Sequence, residues 1–467
     1  MITLADVLAG TGGALYQADR AATTAARQTY GQVRIDSRAI EPGDLFVAVR
    51  GEVHDGHRFV PEAFARGAGG AIVARGRAAS LAYGAEIGTL IEVDETLPAL
   101  GRLAAHWRAR FAIPVVGITG SVGKSSTKEL VAGVLAPYLR VLKSPKSYNN
   151  EYGLPLSVLL IGPETDVAVL EMGTFGPGEL AALSAIAHQT IAVVTNVGHS
   201  HLERMGSQEG IARAKGELVA ALPADGTAIL NGDDPCVRAM AGLTRARAII
   251  YGHDAGCDLR ATKLVDHGPD GLSFALHWRG ESASLDHAPF LGAHSVHTAL
   301  AAAGVGLALG LRLDEVAAGL RRPHESVRLL VLPGRNGSTI IDDSYNAAPV
   351  SVLAALGILE RTPARRRLAV LGDMLELGDY EEEAHREVGR AVARVADGLL
   401  TIGPRAAIVA DEAARRGLSP GRIRRFERKD EVAAALRDDV REGDVVLIKG
   451  SRGLALEDVV AALREVR

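Results

Sequence analysis

Short runs of β-branched and other apolar residues alternate with Ala- and Leu-rich stretches along most of the chain. Repeated strand–helix units of this kind predict parallel sheets with helices on both faces, and hence an α/β fold. Ligands bind at the carboxyl ends of the strands in such sheets, so the residues after each run are the first place to search for a site. The runs that we predict to be strands cover residues 114–118, 166–170, 190–195, 227–230, 338–341, 368–371 and 444–448.

Three blocks of this alternation suggest three domains, which agrees with a chain of 467 residues at roughly 150 residues per domain. We expect an N-terminal domain over residues 1–110, which ends in a helical stretch at 97–110. A central parallel-sheet domain is expected over 111–323, and a Rossmann-like α/β domain over 324–467. No internal repeat with a period of 20–50 residues is apparent, so a solenoid is excluded.

Composition and charge exclude several classes of protein. Hydrophobic residues make up 47% and charged residues 23% of the chain, which excludes wholesale disorder. The net charge of -4 excludes a chain-wide basic surface for nucleic acid. The two cysteines, Cys236 and Cys257, exclude a disulfide scaffold and a four-cysteine zinc site. Because the N-terminus lacks the pattern of a signal peptide, we expect a cytoplasmic protein.

Residues 289–311 contain no Asp, Glu, Lys or Arg and are numerous enough to span a bilayer. The segment is mostly Ala and Gly, however, and it contains His294, Ser295, His297 and Thr298. It lacks the density of Leu, Ile and Phe that membrane insertion requires. We therefore predict a closely packed helix inside the protein and no association with a membrane.

The most specific local motif is the sequence GITGSVGKSS at residues 117–126, which follows a predicted strand and precedes a helix predicted at 127–135. A glycine-rich turn at a helix N-terminus directs backbone N–H groups into one concave surface that suits phosphates. Ile118 stands where the strict P-loop pattern has its first glycine. A structural turn is the alternative. The candidate nucleotide-binding residues are Gly120, Ser121, Val122, Gly123, Lys124, Ser125 and Ser126, with Lys124 on the β- and γ-phosphates and Ser125 on Mg²⁺.

Two further candidates for metal binding lie at predicted strand ends. Glu171 directly follows the strand 166–170, and His201 lies shortly after the strand 190–195. A carboxylate at this position would meet a Mg²⁺ that bridges phosphates. The alternatives are an acid at a helix start and a solvated loop histidine. Lys215 lies on a predicted helix, where an exposed lysine is the ordinary interpretation.

Polar segments at other positions have the composition of ligand-binding loops. Residues 342–349 (DDSYNAAP) and 449–453 (KGSRG) each follow a predicted strand, and the second is a basic loop that suits a carboxylate or a phosphate. In the first block, residues 36–38 (DSR) and 55–59 (DGHRF) have groups that could bind a nucleotide sugar. Ordinary surface turns are the alternative in each case.

Taken together, ten segments in a fixed order resemble the Mur ligase family, and nearly the whole chain is covered by this likeness. NNEYGLPL, DDSYNA and LGDMLELG favour the branch that adds D-Ala-D-Ala, and the DNPR motif of the diaminopimelate-adding relatives is absent. The ten segments are DSR (36–38), DGHRF (55–59), GITGSVGKSS (117–126), NNEYGLPLSVL (149–159), EMG (171–173), TNVGHSHLE (195–203), ARAKGE (212–217), DDSYNA (342–347), LGDMLELG (371–378) and KGSRG (449–453).

The resemblance implies an ATP-dependent amide ligase that joins D-Ala-D-Ala to UDP-MurNAc-tripeptide through an acyl phosphate, in peptidoglycan precursor synthesis. It implies that the N-terminal domain binds the UDP-sugar peptide, that the central P-loop domain is the ATPase, and that the C-terminal domain binds the incoming amine. It also implies two Mg²⁺ ions, a carbamoylated Lys215 and a monomer. The resemblance also implies four sets of site residues. The catalytic residues would be Lys124, Lys215, His201, Asn346, Lys449 and Arg452. ATP would be bound by the P-loop residues and, in addition, by Asn150, Arg328 and Asp342, and the metal by Ser125, Glu171, His201 and Lys215. The sugar-nucleotide substrate would be bound by Ser37, Arg38 and His57.

The sequence departs from the family pattern at a few positions. Ser295 and Thr298 replace two asparagines, one of which contacts adenine in the family, and Ala348 replaces the second asparagine of DDSYNANP. A hydroxyl has one donor where an amide has two, so adenine recognition is expected to differ. Alternative functions are another amide ligase of the superfamily, such as a folylpolyglutamate synthase, and a non-catalytic nucleotide-binding protein. A P-loop kinase or GTPase is disfavoured because no NKxD motif accompanies the loop.

Overall fold

The computed structural model describes residues 1–16, 28–51, 53–81, 88–198, 202–323 and 329–465. Its strands form sheets of five, nine and six strands, together with a separate two-stranded pair. Helices pack on the faces of the sheets, so the predicted α/β fold is confirmed. The three larger sheets follow one another along the chain, as a three-domain α/β protein requires.

The N-terminal sheet has the strand order β2-β7-β6-β5-β4, and β1 pairs separately with β3. Thr3 and Asp6 form a reciprocal capping box that begins the first helix. Helix α4 shares one apolar core with the central domain. The Trp107 Nε1 on this helix also donates to the Ile161 carbonyl of the central domain at 2.8 Å. The elements are β1 (Ile2–Thr3), α1 (Leu4–Thr11), β2 (Ala14–Leu15), β3 (Thr29–Tyr30), β4 (Val33–Arg34), β5 (Leu45–Val47), α2 (Val60–Ala65), β6 (Gly70–Ala74), α3 (Ala78–Leu81), β7 (Thr89–Val93) and α4 (Thr96–Arg108).

The central sheet has the order β16-β15-β14-β13-β12-β11-β8-β10-β9, and its strands are parallel from β9 across to β14. Its elements are β8 (Val115–Thr119), α5 (Lys124–Leu135), β9 (Val141–Lys143), α6 (Gly153–Val158), β10 (Val167–Glu171), α7 (Glu179–Ala187), β11 (Ile191–Val194), α8 (Leu202–Met205), α9 (Gln208–Ala220), β12 (Thr227–Asn231), α10 (Pro235–Ala239), β13 (Arg247–Gly252), β14 (Leu259–Asp266), β15 (Leu272–Trp278), β16 (Glu281–Ala288), α11 (Ser295–Ala308) and α12 (Leu313–Leu320).

The C-terminal sheet has the order β17-β18-β22-β19-β20-β21, in which only β17 is antiparallel to its neighbour. Separate apolar cores lie on its two faces. The elements are β17 (Leu330–Pro333), β18 (Thr339–Asp343), α13 (Pro349–Arg361), β19 (Arg366–Gly372), α14 (Glu381–Val395), β20 (Gly398–Ile402), α15 (Ala406–Arg415), β21 (Ile423–Phe426), α16 (Lys429–Asp439), β22 (Asp444–Lys449) and α17 (Glu457–Leu463).

The structure differs from the sequence-based expectation in a few elements. Helix α5 begins at Lys124, three residues before the predicted start, because Gly123 takes the left-handed conformation that precedes the first turn. The hairpins β14–β15 and β15–β16 are antiparallel, so the central sheet is mixed and not wholly parallel as predicted. The segment 289–311 contains the buried helix α11, which is shorter than the segment. Within the described ranges, no helix is long and apolar enough to cross a membrane.

Candidate active site

The central sheet changes the direction of its strand order at β8, which lies between β10 and β11. The connection from β8 leads to the edge strand β9, and the chain then returns through β10 before it crosses to β11 on the other side. A crevice forms at the carboxyl ends of the strands at such a switch point, and ligands bind there. Gly120, Glu171 and Thr195 lie at this crevice. The sequence predicts this position for Gly120 and Glu171.

The turn from β8 to α5 requires glycine at two positions. Gly120 has a φ of +147°, and a Cβ at this residue would lie 1.9 Å from the Thr195 Oγ1. Gly123 has a φ of +90°, which L side chains rarely adopt. The N–H groups of the first helical turn have no carbonyl acceptor within the helix. The turn therefore has the form of an anion-binding loop at a helix N-terminus, which suits phosphate.

Residues that follow β11 hold this loop in place. The Asn196 side chain accepts from the Val122 N–H at 2.9 Å and donates to the Val122 carbonyl at 2.9 Å. The Thr195 hydroxyl donates to the same carbonyl at 2.7 Å. The sequence analysis missed Asn196, although it is a polar residue directly after a predicted strand. Its contacts show that β11 fixes the backbone of the phosphate-binding loop.

Lys124 and Ser125, the two P-loop side chains with predicted ligands, lie at the start of α5. The Lys124 Nζ donates to the Gly120 carbonyl at 2.7 Å, so the ammonium group lies over the loop that precedes it. Ser125 is buried beneath the same loop. This placement concentrates positive charge and N–H donors on one small surface.

Glu171 is the last residue of β10, and it is only 1% exposed. Its Oε1 accepts from the Asn149 Nδ2 at 2.7 Å. Its Oε2 is buried and has no hydrogen-bond partner among the described residues. A buried carboxylate oxygen without a partner is costly, and a bound cation would compensate that cost. The prediction that Glu171 is a metal ligand therefore fits the geometry.

Residues 144–149, here called the 144–149 segment, contact both the backbone and the side chain of Glu171. The Ser144 hydroxyl accepts from the Glu171 N–H at 3.1 Å, and Asn149 donates to the side chain. The buried Lys128 Nζ donates to the Ser144 carbonyl at 2.9 Å. Asn150, which the sequence analysis placed at ATP, instead accepts from the N–H groups of Tyr152 and Gly153 before α6. Its neighbour Asn149, which the sequence analysis missed, makes the contact with Glu171.

Lys215 lies on α9, where it is 2% exposed. It makes no hydrogen bond or ion pair with any residue that the structure describes. Burial, together with the charge of Lys124, holds the pKa of the Lys215 amine well below its ordinary value. A lowered pKa increases the neutral, nucleophilic fraction of the amine, and its burial excludes the exposed lysine of the ordinary interpretation.

Two predicted site residues, His201 and Arg328, lie outside the described residues, as does His199. Their predicted roles at the metal and at ATP stay predictions. The neighbouring residues are described: the Gly198 N–H donates to the Ser121 hydroxyl at 2.9 Å, so the chain that leads toward His201 begins against the phosphate-binding loop.

The C-terminal sheet brings three of the predicted loops to one edge, at the carboxyl ends of β18, β19 and β22. Lys449 is buried and forms an ion pair with Asp343, and its Nζ also donates to the Asn346 carbonyl at 2.8 Å. The Lys449 ammonium group therefore stabilises the turn after β18 from the buried side of that turn. Asn346 and Arg452 are exposed at this edge, so of the predicted ligand-facing residues these two are accessible. The Asp342 carboxylate accepts from the Ser344 N–H at 3.0 Å.

The LGDMLELG segment lies against the same edge. The Ser451 N–H donates to the Asp373 carbonyl at 3.1 Å, and the Leu375 N–H donates to the Ser451 hydroxyl at 3.0 Å. The buried His385 accepts from the Met374 N–H at 3.2 Å, which requires an unprotonated ring nitrogen. Desolvation by burial lowers the pKa of His385 and thus favours this neutral form.

A side-chain contact joins this edge to the 144–149 segment of the central domain. The hydroxyl groups of Tyr345 and Ser147 lie 2.6 Å apart. The Arg452 guanidinium lies 5.1 Å from the centre of the Tyr345 ring and forms an ion pair with Glu457. The 144–149 segment, which supports Glu171, therefore also contacts the C-terminal domain.

The N-terminal candidates separate into buried and exposed groups. His57 is buried, and both ring nitrogens are occupied, one by Asp55 at 2.6 Å and the other by the Ala74 N–H at 2.9 Å. The Ser37 hydroxyl donates to Glu62 at 3.0 Å. Arg38 forms a bidentate ion pair with Asp36, and its side chain is 80% exposed. Arg38 is thus the accessible member of the predicted substrate set.

The departures from the family pattern have local structural roles. The Ser295 hydroxyl donates to the Leu291 carbonyl at 2.6 Å, so it is used at the start of α11. Ala348 directly precedes α13, where its N–H donates to the Ser351 hydroxyl at 3.0 Å. Neither residue replaces a group that contacts Glu171 or the phosphate-binding loop.

Comparison with known proteins covers most of the chain. The family model described as the Mur ligase middle domain matches residues 118–306, and the one described as the Mur ligase, glutamate ligase domain matches 327–452. The model described as the Mur ligase family, catalytic domain matches residues 29–108. The three matches follow one another in the order of the three sheets.

Similar proteins extend over the full length. A Bacillus subtilis UDP-N-acetylmuramoyl-tripeptide–D-alanyl-D-alanine ligase is 36% identical, with 93% of each chain covered. A crystal structure of MurF from Acinetobacter baumannii matches with a TM-score of 0.85 at 28% identity, with 98% of each chain covered. The Thermotoga maritima MurF ligase in complex with ADP matches with a TM-score of 0.77 at 28% identity, covering 92% of this chain and 96% of that one. The chain therefore belongs to the Mur ligase family.

Proposed function

We propose that this chain is an ATP-dependent ligase that joins the amine of D-Ala-D-Ala to the terminal carboxylate of UDP-MurNAc-tripeptide, through an acyl phosphate. The B. subtilis relative is named for these substrates, and it is similar over nearly the whole length. The observation that supports the chemistry is the convergence of the phosphate-binding loop, Lys124 and the partnerless Glu171 oxygen at one sheet edge. The named reaction forms a C–N bond and belongs to the carbon–nitrogen ligases.

The residues at this edge fit a nucleotide triphosphate and a magnesium ion. Ser125 and Glu171 would hold the ion, and His201 is the further ligand that the sequence analysis predicts. The fit rests on the buried Glu171 Oε2, which has no partner in the described part of the chain. When bound, magnesium neutralises negative charge on the phosphates. The loop N–H groups and the Lys124 ammonium provide the protein's own positive potential there.

The reaction needs two bond exchanges. A carboxylate oxygen of the tripeptide attacks the γ-phosphorus of ATP, the bond to the β–γ bridging oxygen breaks, and ADP leaves. The neutral amine of the dipeptide then attacks the acyl carbon, the carbon–oxygen bond to phosphate breaks, and the amine loses its proton. Lys124 and the loop N–H groups reduce the repulsion between carboxylate and triphosphate in the first exchange.

Lys215 fits the carbamate that the resemblance implies. A neutral amine attacks carbon dioxide, forms an N–C bond and releases one proton, which converts a potential cation into an anion. The lowered pKa of Lys215 favours the neutral amine that this step requires, and the side chain is buried. We propose that the carbamate is the anionic group that holds a second magnesium ion beside the phosphate-binding loop.

We assign one substrate to each sheet. Residues 1–110 would bind the UDP-sugar peptide through Arg38, residues 111–323 would bind ATP, and residues 324–467 would bind the dipeptide through Asn346 and Arg452. Ser37, His57, Lys449 and Asn150 are assigned positioning roles, because their side chains are used inside the fold. Asp342 and Arg328 are assigned to ATP at the domain junction. We propose a cytoplasmic monomer, since ATP is a substrate and each sheet has its own ligand.

The decisive experiment measures ADP release from ATP with UDP-MurNAc-tripeptide and a series of amines. D-Ala-D-Ala is expected to stimulate release strongly, and single amino acids are expected to give little stimulation. The product, detected by mass spectrometry, should contain the added dipeptide. Strong stimulation by a single amino acid, without an effect of the dipeptide, would assign the chain to another ligase of the family.

Arg38 and His57 provide a matched pair for the substrate domain. We expect Arg38→Ala to raise the KM for the UDP-sugar peptide roughly tenfold and to leave the unfolding free energy unchanged, because the side chain is exposed. His57→Ala should instead lower the unfolding free energy by about 1–3 kcal/mol, since it leaves the Ala74 N–H without its acceptor and removes the ring contact with Asp55. Steady-state kinetics of both variants report substrate binding, and urea unfolding reports the contribution of each side chain to the stability of the fold. An unchanged KM for the UDP-sugar peptide in Arg38→Ala would contradict the assignment of Arg38 to this substrate.

Asn196 is expected to control ATP affinity through the loop. Asn196→Ala removes both side-chain bonds to Val122 and should raise the KM for ATP roughly tenfold, with a smaller effect on the KM of the dipeptide. Asn196→Asp keeps the acceptor for the Val122 N–H, but it lacks the donor and adds a negative charge near the phosphates, so it should be more damaging. If both variants bind ATP normally, as measured by calorimetry, Asn196 has no positioning role.

A further inference from the structure

A cluster of three metal-binding side chains lies outside the ligase machinery described above. Asp233 lies in the turn between β12 and α10, His253 directly follows β13, and His297 lies in the first turn of α11. One potential ligand atom from each residue lies within 4.8 Å of the other two. The three residues come from separate elements, so the fold itself, and not their proximity in sequence, brings them together.

The contacts within the cluster fix its geometry. The His297 Nε2 lies 2.9 Å from the Asp233 Oδ2, and the His253 N–H donates to both oxygens of the same carboxylate, at 3.1 and 2.9 Å. The two imidazole rings lie 5.2 Å apart at an angle of 89°. The His253 Nδ1 lies 3.2 Å from the Ala261 carbonyl. A proton on Nδ1 makes this contact a hydrogen bond and leaves the Nε2 lone pair available, which is the arrangement common in metal-binding histidines.

The cluster is accessible to solvent. Asp233 and His297 are both partly exposed, at 24% and 32% of their side chains, so an ion could enter from solvent and retain water ligands.

Ligand chemistry distinguishes this cluster from the magnesium site at Glu171. Magnesium prefers oxygen ligands, whereas two imidazoles and one carboxylate suit zinc, cobalt or nickel. A tetrahedral zinc ion with bonds of about 2.1 Å places its ligands roughly 3.4 Å apart. The ligand atoms of the cluster lie within 4.8 Å of one another, so the widest pair would close by up to roughly 1.4 Å. The His297–Asp233 pair, at 2.9 Å, would open slightly. Rotation of the three partly exposed side chains would supply these changes.

We propose that Asp233, His253 and His297 form a binding site for one divalent transition-metal ion of the zinc type. The ion would replace the hydrogen bond between His297 and Asp233 as the link between α11 and the turn after β12. Water would complete the coordination. None of the three residues contacts the phosphate-binding loop or Glu171 in the described structure, so the proposal does not depend on the magnesium site. His297 does lie between Ser295 and Thr298, the positions at which adenine recognition is expected to differ.

The experiment titrates the untagged full-length chain with Zn²⁺ in competition with a chromophoric chelator, at pH 7.5 and with excess Mg²⁺ to occupy oxygen-ligand sites. Co²⁺ is used in parallel, because its visible absorption reports tetrahedral nitrogen and oxygen coordination. The variants are His297→Asn and Asp233→Asn. The matched control is His287→Asn, which removes one ring of the stacked pair His267–His287 in the same domain. Asn suits position 287, where φ is +46°.

We expect one equivalent of Zn²⁺ with the unaltered chain, an affinity at least roughly a hundredfold weaker in His297→Asn, and no change in His287→Asn. The tetrahedral Co²⁺ spectrum should disappear in His297→Asn. Equal affinity and stoichiometry in the unaltered chain and in His297→Asn, or the absence of any stoichiometric site, would overturn the proposal and leave an ion pair only. If Asp233→Asn unfolds, the test rests on His297→Asn, because the His297 side chain is partly exposed. Thermal unfolding then shows whether His297→Asn is folded.

Discussion

Lys124→Ala is expected to lower kcat by roughly a thousandfold and to leave the unfolding free energy nearly unchanged. The Lys124 ammonium lies over the phosphate-binding loop, where it reduces the repulsion between two anionic substrates. This stabilisation increases as charge develops in the transition state, so kcat should fall more than the KM for ATP rises. ADP release and urea unfolding provide the two measurements.

A charge-preserving variant separates charge from shape. Lys124→Arg retains a cation, but its planar guanidinium does not reproduce the compact ammonium that contacts the Gly120 carbonyl. We expect it to recover only a small part of the lost activity. Near-normal turnover in Lys124→Ala would show that the loop acts without this side chain, and the assignment of Lys124 to the phosphates would then fail.

Lys215→Ala is expected to lower kcat on the order of a hundredfold, and small carboxylic acids should partly restore it. Removal of a buried lysine leaves a cavity, and a short carboxylate that enters the cavity would take the place of the carbamate anion. Acetate and propionate are added over a concentration series, and ADP release is measured at each concentration. Acetamide and propionamide are the neutral controls, and we expect no recovery with them.

Lys215→Met controls for packing, because it retains a side chain of similar length without an amine. It should be as inactive as the Ala variant, yet it should not respond to carboxylates, since no cavity forms. Depletion of carbon dioxide and bicarbonate should lower the activity of the unaltered chain in the same direction. Full activity in Lys215→Met would contradict the carbamate, whatever the carboxylates do.

The sequence predicted the central site more fully than the other two sheets. Strand ends were identified from apolar runs, and parallel pairing then brought Gly120 and Glu171 together at one edge without further information. Asn196 and Asn149 were missed because their role depends on which neighbouring loop each amide reaches, and that follows from strand order. The same reason applies to Lys449. Its loop is predicted to face a carboxylate or a phosphate, and its buried ion pair with Asp343 depends on the pairing of β18 with β22.

Histidines were the least predictable residues. The family resemblance implies that His57 binds substrate, and in the structure its two ring nitrogens contact Asp55 and the Ala74 N–H. His297 was considered only as a reason against a membrane helix, and its approach to Asp233 depends on residues 64 positions apart. A ring with two nitrogens can serve as a ligand, a donor or an acceptor, and only its surroundings decide among these roles.

The 144–149 segment connects the C-terminal domain to Glu171, the proposed magnesium ligand. Its Asn149 donates to the Glu171 carboxylate, its Ser144 accepts from the Glu171 backbone N–H, and its Ser147 contacts Tyr345 of the C-terminal domain. Six consecutive residues thus connect the proposed magnesium ligand in the central domain to the turn after β18, which we propose lies beside the dipeptide.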